Sequence, residues 1–305
     1  MTKSVARLVR QPQLRSPFRP NEPASGYYND LTMVALAHGS PDGARAGFRK
    51  LTAERRLANP VSIAQLGLGA WQLRERQPQW LDVVRDVAGW IVAERDDDGR
   101  IRYGFAMPHT YRLAPGWTCG MAQGEAASLL VRAAYAFDDE RLLDQARAVA
   151  TPLVDPSSDL VTSTSQGPVI QEYPTDPPSH VLNGWIFALW GIYDVLQAHT
   201  RWLEAASAFE SGVAALRARL PLYSTGWQWS RYDLFPHRID HVTSPFYHRL
   251  HIEQLRALAD LVEQRQALLE TADCWERGLR NPAVRTLAIG RKVAFRMLEP
   301  RRDIV

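Results

Sequence analysis

The chain has 305 residues, 46% of them hydrophobic and 23% charged, with a formal net charge of +3. These proportions are those of a globular protein with one large domain or two ordinary ones, and no apolar run reaches the roughly 18 residues of a membrane span. Arg7 and Arg10 are not followed by an apolar block, so the amino terminus lacks the pattern of a signal peptide. We therefore expect a cytoplasmic protein.

The basic residues are unevenly divided, because only three of the 36 lysines and arginines are lysines (Lys3, Lys50 and Lys292). A coding bias towards arginine explains this, and so does an anionic ligand that guanidinium groups would bind. The basic residues are spread among acids, which argues against nucleic acid as a partner. Cys119 and Cys274 lie far apart without a CxxC or a nearby histidine. This pattern predicts neither a metal site nor a disulfide framework.

The amino-terminal part of the chain differs in pattern from the rest. Residues 1–58 are predicted to form an extended arm, basic and proline-containing up to residue 26. Within it, residues 27–36 could pair as a strand of a short β-hairpin, and residues 39–43 are predicted to form a turn-rich loop. Strand signals nearly vanish after this point, apart from a short extended piece at 101–105.

From residue 59 onward the apolar spacing predicts pairs of helices. The predicted pairs are 60–73 with 80–94, 121–137 with 140–153, 179–196 with 202–216, and 245–262 with 264–279, followed by a closing helix at 282–298. The first helices of successive pairs resemble one another, with Gln65, Gln123 and Asn183 at matching places about sixty residues apart. A repeat of helical hairpins predicts stacked or ring-closed units. The predicted fold is all-α, an incomplete α/α toroid over residues 59–305.

Residues 171–184 place an acid beside a tyrosine, Glu172 and Tyr173, on a proline-rich turn before a very apolar helix. Both side chains can exchange protons with a substrate, and proline holds the turn stiff. Loops at one rim of a toroid would bring this turn near Tyr103, Tyr111 and Trp117. Aromatic side chains at such a rim can stack on sugar rings, although many of them could be ordinary core residues.

Four segments, at 116–125, 172–184, 230–234 and 247–255, resemble the carboxy-terminal α/α domain of D-glucuronyl C5-epimerases in their order and in their amino-acid sequences. These enzymes convert glucuronic to iduronic acid in heparosan-type chains. The resemblance covers about residues 59–279, and its most specific part is the pair of motifs EYPT and VLNG. It implies an isomerase whose catalytic residues are Glu172, Tyr173, Tyr232 and Tyr247.

The expected chemistry removes H5 of a glucuronosyl unit on one face and returns a proton on the other, without a redox cofactor. We predict that Glu172 and one tyrosine form the proton pair, while the other tyrosines polarise the uronate carboxylate or protonate the bridging oxygen. A tyrosine acting as base would need a nearby cation. The predicted substrate-binding residues are Tyr103, Trp117, Gln123, Asn183, Arg231, Arg238, Arg249 and His251, with the last four as candidate cations. For Gln123 and Asn183 a purely structural hydrogen-bonding role is the alternative.

The chain departs from the family pattern at several points. Gln171 stands where a second acid is common, Arg231 precedes Tyr232, and a β-rich preceding domain is absent or reduced to residues 1–58. The predicted partners are a heparosan-like anionic polysaccharide and, by resemblance, a second copy of the chain reached by the amino-terminal arm. A polysaccharide lyase, a glycoside hydrolase and a non-catalytic glycan-binding protein remain alternatives.

Overall fold

Antiparallel helical hairpins make up most of the structure. The computed structural model describes residues 14–107, 110–199 and 201–299. In chain order its helices are α1 (Thr32–Leu36), α2 (Pro41–Thr52), α3 (Pro60–Leu73), α4 (Trp80–Glu94), α5 (Gly120–Phe137), α6 (Arg141–Val154), α7 (Leu182–Ala198), α8 (Leu203–Tyr223), α9 (Pro245–Ala259), α10 (Gln266–Arg280) and α11 (Pro282–Leu298). Short 3-10 helices lie at Pro23–Ser25 and Arg55–Leu57.

The first helices of the four hairpins form an inner layer. Helix α5 packs between α3 and α7, and α7 also packs against α9. Small residues let α5 and α7 approach closely, since a Cβ on Gly191 would lie 2.4 Å from the Cα of Gly124. The second helices pack outside the first ones, as expected for their amphipathic sequences. The prediction of an all-α, incomplete α/α toroid is confirmed.

Proline-containing caps fix several helix starts where the sequence predicts them. The side chain of Asn59 accepts a hydrogen bond from the Ser62 amide at the start of α3, and Asn281 caps α11 in the same way. Helix α7 begins at Leu182, later than predicted. His180 has a φ of 48° and Val181 is extended, so the turn before α7 is not helical.

The prediction of an extended arm with a β-hairpin is wrong for much of residues 14–58. Helix α1 occupies half of the predicted strand, and α2 begins inside the predicted loop. The Ser40 side chain accepts from the Gly43 amide, and Pro41 follows it, which is a standard helix start. Residues 1–13 of the arm lie outside the described part of the chain. The domain boundary at residue 58 stays a prediction.

The structure contains one β-hairpin that the sequence does not predict. Strands β1 (Val161–Thr164) and β2 (Gly167–Ile170) pair antiparallel between α6 and α7. The turn uses Gly167 at a φ of 117°, a conformation that favours glycine. The strands are short and β1 is polar, so period-two alternation gave no signal. The hairpin leads into the turn at residues 171–181, and therefore helps to position that turn.

The segment 14–31 covers the carboxy-terminal ends of the inner helices. The Leu31 amide donates to Gln72 Oε1 (2.9 Å) at the end of α3. At the other side, Arg15 forms a 2.6 Å ion pair with Asp260 just after α9. The described part of the arm thus lies on its own chain, and the homodimer stays a prediction. Within the described ranges, no helix combines the length and hydrophobicity needed to cross a membrane.

Under this segment lies a buried ion pair between α5 and α7. Arg132 Nη1 contacts Asp194 Oδ2 at 2.5 Å, and both side chains are fully buried. Tyr28 donates to the same carboxylate (2.6 Å), and the Arg132 guanidinium donates to the Gly26 carbonyl. The carboxy-terminal end of the inner layer is therefore filled by a paired, hydrogen-bonded set of side chains. A substrate site is more easily placed at the amino-terminal end.

Candidate active site

The motif residues meet at the amino-terminal ends of the inner helices. Asn183 and Gly184 begin α7, Cys119 precedes α5, and Tyr247 lies in the first turn of α9. The turn at 171–181 crosses this end. Two backbone hydrogen bonds link it to the 230–242 segment: Leu182 donates to the Tyr232 carbonyl (3.2 Å) and Leu234 donates to the Ser179 carbonyl (3.0 Å).

Glu172 is the acid at the centre of this end. Its side chain lies directly over Gly184, where a Cβ would be 2.3 Å from Oε2, so only glycine leaves it room. Asn183 Nδ2 donates to Oε2 (3.2 Å), and the Gly184 amide also hydrogen-bonds the carboxyl group. Burial raises the pKa of Glu172 to about 7, although the hydrogen bond from Tyr173 opposes the rise. Near neutral pH this carboxyl group can both accept and release a proton.

Several tyrosine side chains lie around Glu172 and contact one another through hydrogen bonds and ring packing. Tyr173 shares side-chain hydrogen bonds with Glu172 and with Tyr232. The ring of Tyr232 meets Tyr247 edge to face at 5.1 Å, and Tyr111 lies 5.2 Å from Tyr173. Burial, then the charge of Glu172, raises the pKa of Tyr173 and Tyr232 well above the usual value. Both are neutral phenols that can donate protons or hydrogen bonds.

The predicted aromatic residues lie beside this cluster. Tyr103 stacks on Trp117 with centroids 3.8 Å apart, and Trp117 lies 5.8 Å from Tyr173. The Trp117 indole nitrogen donates to the Phe105 carbonyl (2.9 Å). Only 3% of Tyr103 and 7% of Trp117 are exposed, so they form a wall that supports Tyr173 more than an open stacking surface.

Gln123 does not belong to the site. Its side chain is fully buried and bonds three backbone groups: the Ile101 amide (2.8 Å) and the carbonyls of Gly99 (2.9 Å) and Val149 (2.7 Å). Both amide hydrogens are used in this geometry, and the fully buried side chain has no exposed atom to offer a substrate. The structure therefore favours the structural hydrogen-bonding role for Gln123 over a substrate contact. Asn183 remains a candidate site residue because it donates to Glu172.

The four candidate cations are engaged elsewhere. Arg231 pairs with Asp240 (2.9 Å), because alternation along an extended segment directs it opposite to Tyr232. Arg238 is 77% exposed and Arg249 faces Glu253 at 3.6 Å.

His251 is also buried in the protein interior. It is fully buried, and its Nδ1 lies 3.1 Å from Ser230 Oγ. Burial lowers its pKa well below the usual value. It is a neutral core residue, so the predicted cation role is not supported for any of the four.

Behind the tyrosines lies a polar group that the sequence reasoning did not assign to the site. Asp233 accepts hydrogen bonds from the Tyr111 hydroxyl and from His241 Nδ1 (2.6 Å). His237 Nε2 lies 3.2 Å from the same carboxylate, and Lys292 Nζ lies 2.7 Å from His241 Nε2. Despite burial, the two histidines hold the pKa of Asp233 well below its usual range. The spacing of Asp233, His237 and His241, four residues apart each time, was the available signal.

Donor atoms of Asp233, His237 and His241 lie within 4.8 Å of one another, close enough to surround a metal ion. A lysine ammonium group can only donate, so the Lys292 contact requires His241 Nε2 as acceptor and places the ring proton on Nδ1. Nδ1 would have to lose that proton to bind a metal, and Nε2 would then carry a proton facing the ammonium group. The hydrogen bonds therefore favour a proton-filled network, and we assign no metal ligands here.

Comparisons with known proteins agree with the sequence motifs. Residues 95–277 match the family model described as D-glucuronyl C5-epimerase C-terminus. A D-glucuronyl C5-epimerase from Caenorhabditis elegans is 31% identical over 229 residues, which is 67% of this chain and 36% of the relative. An uncharacterized protein of Methanocaldococcus jannaschii is 29% identical over 50% of each chain. The chain thus spans half or less of the length of these curated relatives.

Solved structures share the fold at low identity. An unsaturated glucuronyl hydrolase from Bacillus sp. GL1 superposes with a TM-score of 0.53 at 17% identity, covering 84% of this chain and 73% of its own. A structure from Salmonella enterica, described as a possible GH105 family member, gives 0.52 at 15% identity, covering 87% and 74%. These likenesses establish the α/α fold alone. With the family match spanning more than half of the chain, the protein belongs to the D-glucuronyl C5-epimerase C-terminus family.

Proposed function

We propose that this protein is a uronosyl C5-epimerase that converts D-glucuronosyl to L-iduronosyl units in a heparosan-like anionic polysaccharide. The observation that carries the proposal is the buried Glu172, with a pKa of about 7, in hydrogen-bonded contact with a cluster of neutral tyrosines. Family membership supports the same reaction class.

In the first step the Glu172 carboxylate takes H5, and the electron pair of the broken C5–H bond spreads into the uronate carboxyl group. In the second step a tyrosine hydroxyl on the opposite face gives its proton to C5, which inverts the centre. Glu172 is then protonated and that tyrosine is a phenolate. The hydrogen bonds from Glu172 through Tyr173 to Tyr232 offer a route by which the proton returns.

The uronate carboxyl group must be stabilised as negative charge builds up on it. The predicted arginines pair with acids outside the cluster, whereas the phenols of Tyr173 and Tyr232 lie beside Glu172 and can donate hydrogen bonds. Four inner helices also begin at this end of the layer, and helix amino termini favour negative charge. A buried, water-poor site strengthens both effects.

Heavy-water exchange tests the proposal. The protein is incubated in D2O with heparosan, desulfated chondroitin and other glucuronate polymers, and deuterium at C5 is measured by NMR. We expect exchange on at least one polymer, with iduronate appearing, and loss of exchange in Glu172→Gln. Absence of exchange on every polymer contradicts the proposal. An unsaturated product absorbing in the ultraviolet would instead identify a lyase, which begins with the same proton abstraction.

A further inference from the structure

Helix α11 reaches the rear of the tyrosine cluster although it lies beyond residue 277, where the family match ends. Two of its residues, one turn apart, bind the same histidine. Phe295 stacks on the His241 ring at 3.9 Å with an interplanar angle of 3°, and Lys292 Nζ lies 2.7 Å from His241 Nε2. The half-buried Lys292 also lies 5.7 Å from the centre of the Tyr232 ring.

The direction of each hydrogen bond follows from the lysine. Because the ammonium group donates to Nε2, His241 is neutral and carries its proton on Nδ1, which donates to Asp233. The Asp233 carboxylate then has accepting capacity for the Tyr111 hydroxyl, whose ring packs against Tyr173. Hydrogen bonds thus connect Lys292 through His241 to Asp233, and Tyr111 donates to the same carboxylate from the other side.

His241 also touches the site directly, since its ring lies 4.9 Å from that of Tyr232. The charged and titratable groups facing it are Asp233 and His237 from its own segment and Lys292 from α11. Burial is the largest cause that lowers the pKa of His241 to about 4; the Asp233 carboxylate opposes it, and the charge of Lys292 lowers the pKa further. Removal of the lysine would therefore raise the pKa of His241 and take away the donor that faces Nε2.

We propose that Lys292 is a positioning residue of the site: by donating to His241 Nε2 it holds the ring proton on Nδ1 and so orders Asp233, Tyr111 and Tyr232 behind the reacting groups. Lys292 does not touch the substrate in this role. The catalytic consequence rests on the proposed epimerase function, whereas the protonation state of His241 does not.

The test compares Lys292→Met, which keeps the length of the side chain, with Lys292→Arg, which keeps a donor. Arg291→Met, an exposed neighbour on the same helix, is the control. The readouts are the 15N shifts of His241, assigned with His241→Phe, and the kcat and KM of C5 exchange. Melting temperatures confirm that each variant folds.

At neutral pH we expect one protonated nitrogen, Nδ1, in the wild type, the Lys292→Arg variant and the control. In Lys292→Met we expect the Nε2 shift to change and the ring to take up its second proton at a higher pH than in the wild type. We expect kcat in Lys292→Met to fall on the order of tenfold with little change in KM, as is usual for partners that orient a reacting group at one remove. Lys292→Arg should restore most of it. An unchanged His241 spectrum in Lys292→Met overturns the proposal, whatever the activity. Wild-type protein with the expected spectrum but no exchange would refute only the epimerase function.

Discussion

The two ends of the inner helices bury an acidic side chain in opposite ways. At the carboxy-terminal end, Asp194 contacts the Arg132 guanidinium at 2.5 Å and accepts from Tyr28. At the amino-terminal end, Glu172 is equally enclosed but is surrounded by tyrosines and an asparagine. Asn183 and Asp194 lie on α7 about 16 Å apart at 1.5 Å per residue.

The presence or absence of a cation beside the buried carboxyl group distinguishes a stabilising residue from a candidate catalytic one. The Arg132 guanidinium compensates the buried Asp194 carboxylate and so holds the structure together, whereas burial raises the pKa of Glu172 into the neutral range. The two ends of α7 therefore meet different carboxyl groups: Asp194, near its end, is paired with a cation, and Glu172, beside its first turn, can exchange a proton.

Arg132→Met gives the largest expected change, because it leaves Asp194 buried without its cation. We expect the free energy of unfolding to fall by about 3–5 kcal/mol, measured by denaturant titration. The control Arg141→Met removes an exposed pair with Asp139, where 89% of the arginine side chain is exposed, and should cost far less because water and salt screen the pair. Equal losses in the two variants would show that the closed end is not held by its ion pair.

The pH dependence of stability reports on the other end. The folded pKa of Glu172, about 7, lies above its ordinary value of 4.5, so the folded state binds the proton more tightly. The contribution of Glu172 is therefore fully present below about pH 4.5 and is lost as pH rises to about 7. We expect the wild type to lose about 3 kcal/mol relative to Glu172→Gln across this window. A pH-independent difference between the two proteins would contradict the raised pKa.

Gly184→Ala tests whether position, as well as identity, matters at Glu172. The new Cβ would lie 2.3 Å from Oε2 and 2.6 Å from Cγ, so the carboxyl group must move. We expect C5 exchange to fall on the order of 100-fold, as for small misplacements of reacting groups. Gly290→Ala on α11, with open space around it, is the matched control and should leave exchange unchanged. Normal exchange in Gly184→Ala would mean that Glu172 is not held in a reacting position.

Arg238→Ala should have the smallest effect. The side chain is 77% exposed and its carboxylate partner, Glu299, is 4.0 Å away. We expect the free energy of unfolding to change by less than about 0.5 kcal/mol and exchange to stay within about twofold. A marked rise in KM would instead restore the original expectation that this arginine binds uronate.

The sequence was informative where local signals and repeats coincide. The caps at Asn59 and Asn281 placed α3 and α11 correctly, and the apolar repeat predicted the toroid. The same kind of signal lies at Ser40-Pro41, but the glycines at 39 and 43 on either side of it predict a loop instead of the helix that the structure has. Glu172, Tyr173, Tyr232 and Tyr247 do meet, but their catalytic roles stay predictions.

The cations could not be assigned from sequence because charge pairing depends on which way each side chain points. Arg231 adjoins Tyr232 in sequence, yet it faces Asp240, while the distant Lys292 reaches the cluster through the fold of α11. Contacts between residues far apart in the chain produce no periodic pattern in the sequence. The spacing of Asp233, His237 and His241 was visible, but only the structure shows that it joins Tyr111 to Lys292.

The pH profile of deuterium entry at C5 of a glucuronate polymer, in wild type and Glu172→Gln, tests the central claim most directly. The account predicts that wild-type kcat/KM is level above about pH 7 and falls about tenfold per pH unit below it, as the Glu172 base becomes protonated. Glu172→Gln, folded as judged by its melting temperature, should lose exchange at every pH. Undiminished exchange in Glu172→Gln, or a wild-type profile that stays flat down to pH 5, would contradict the account.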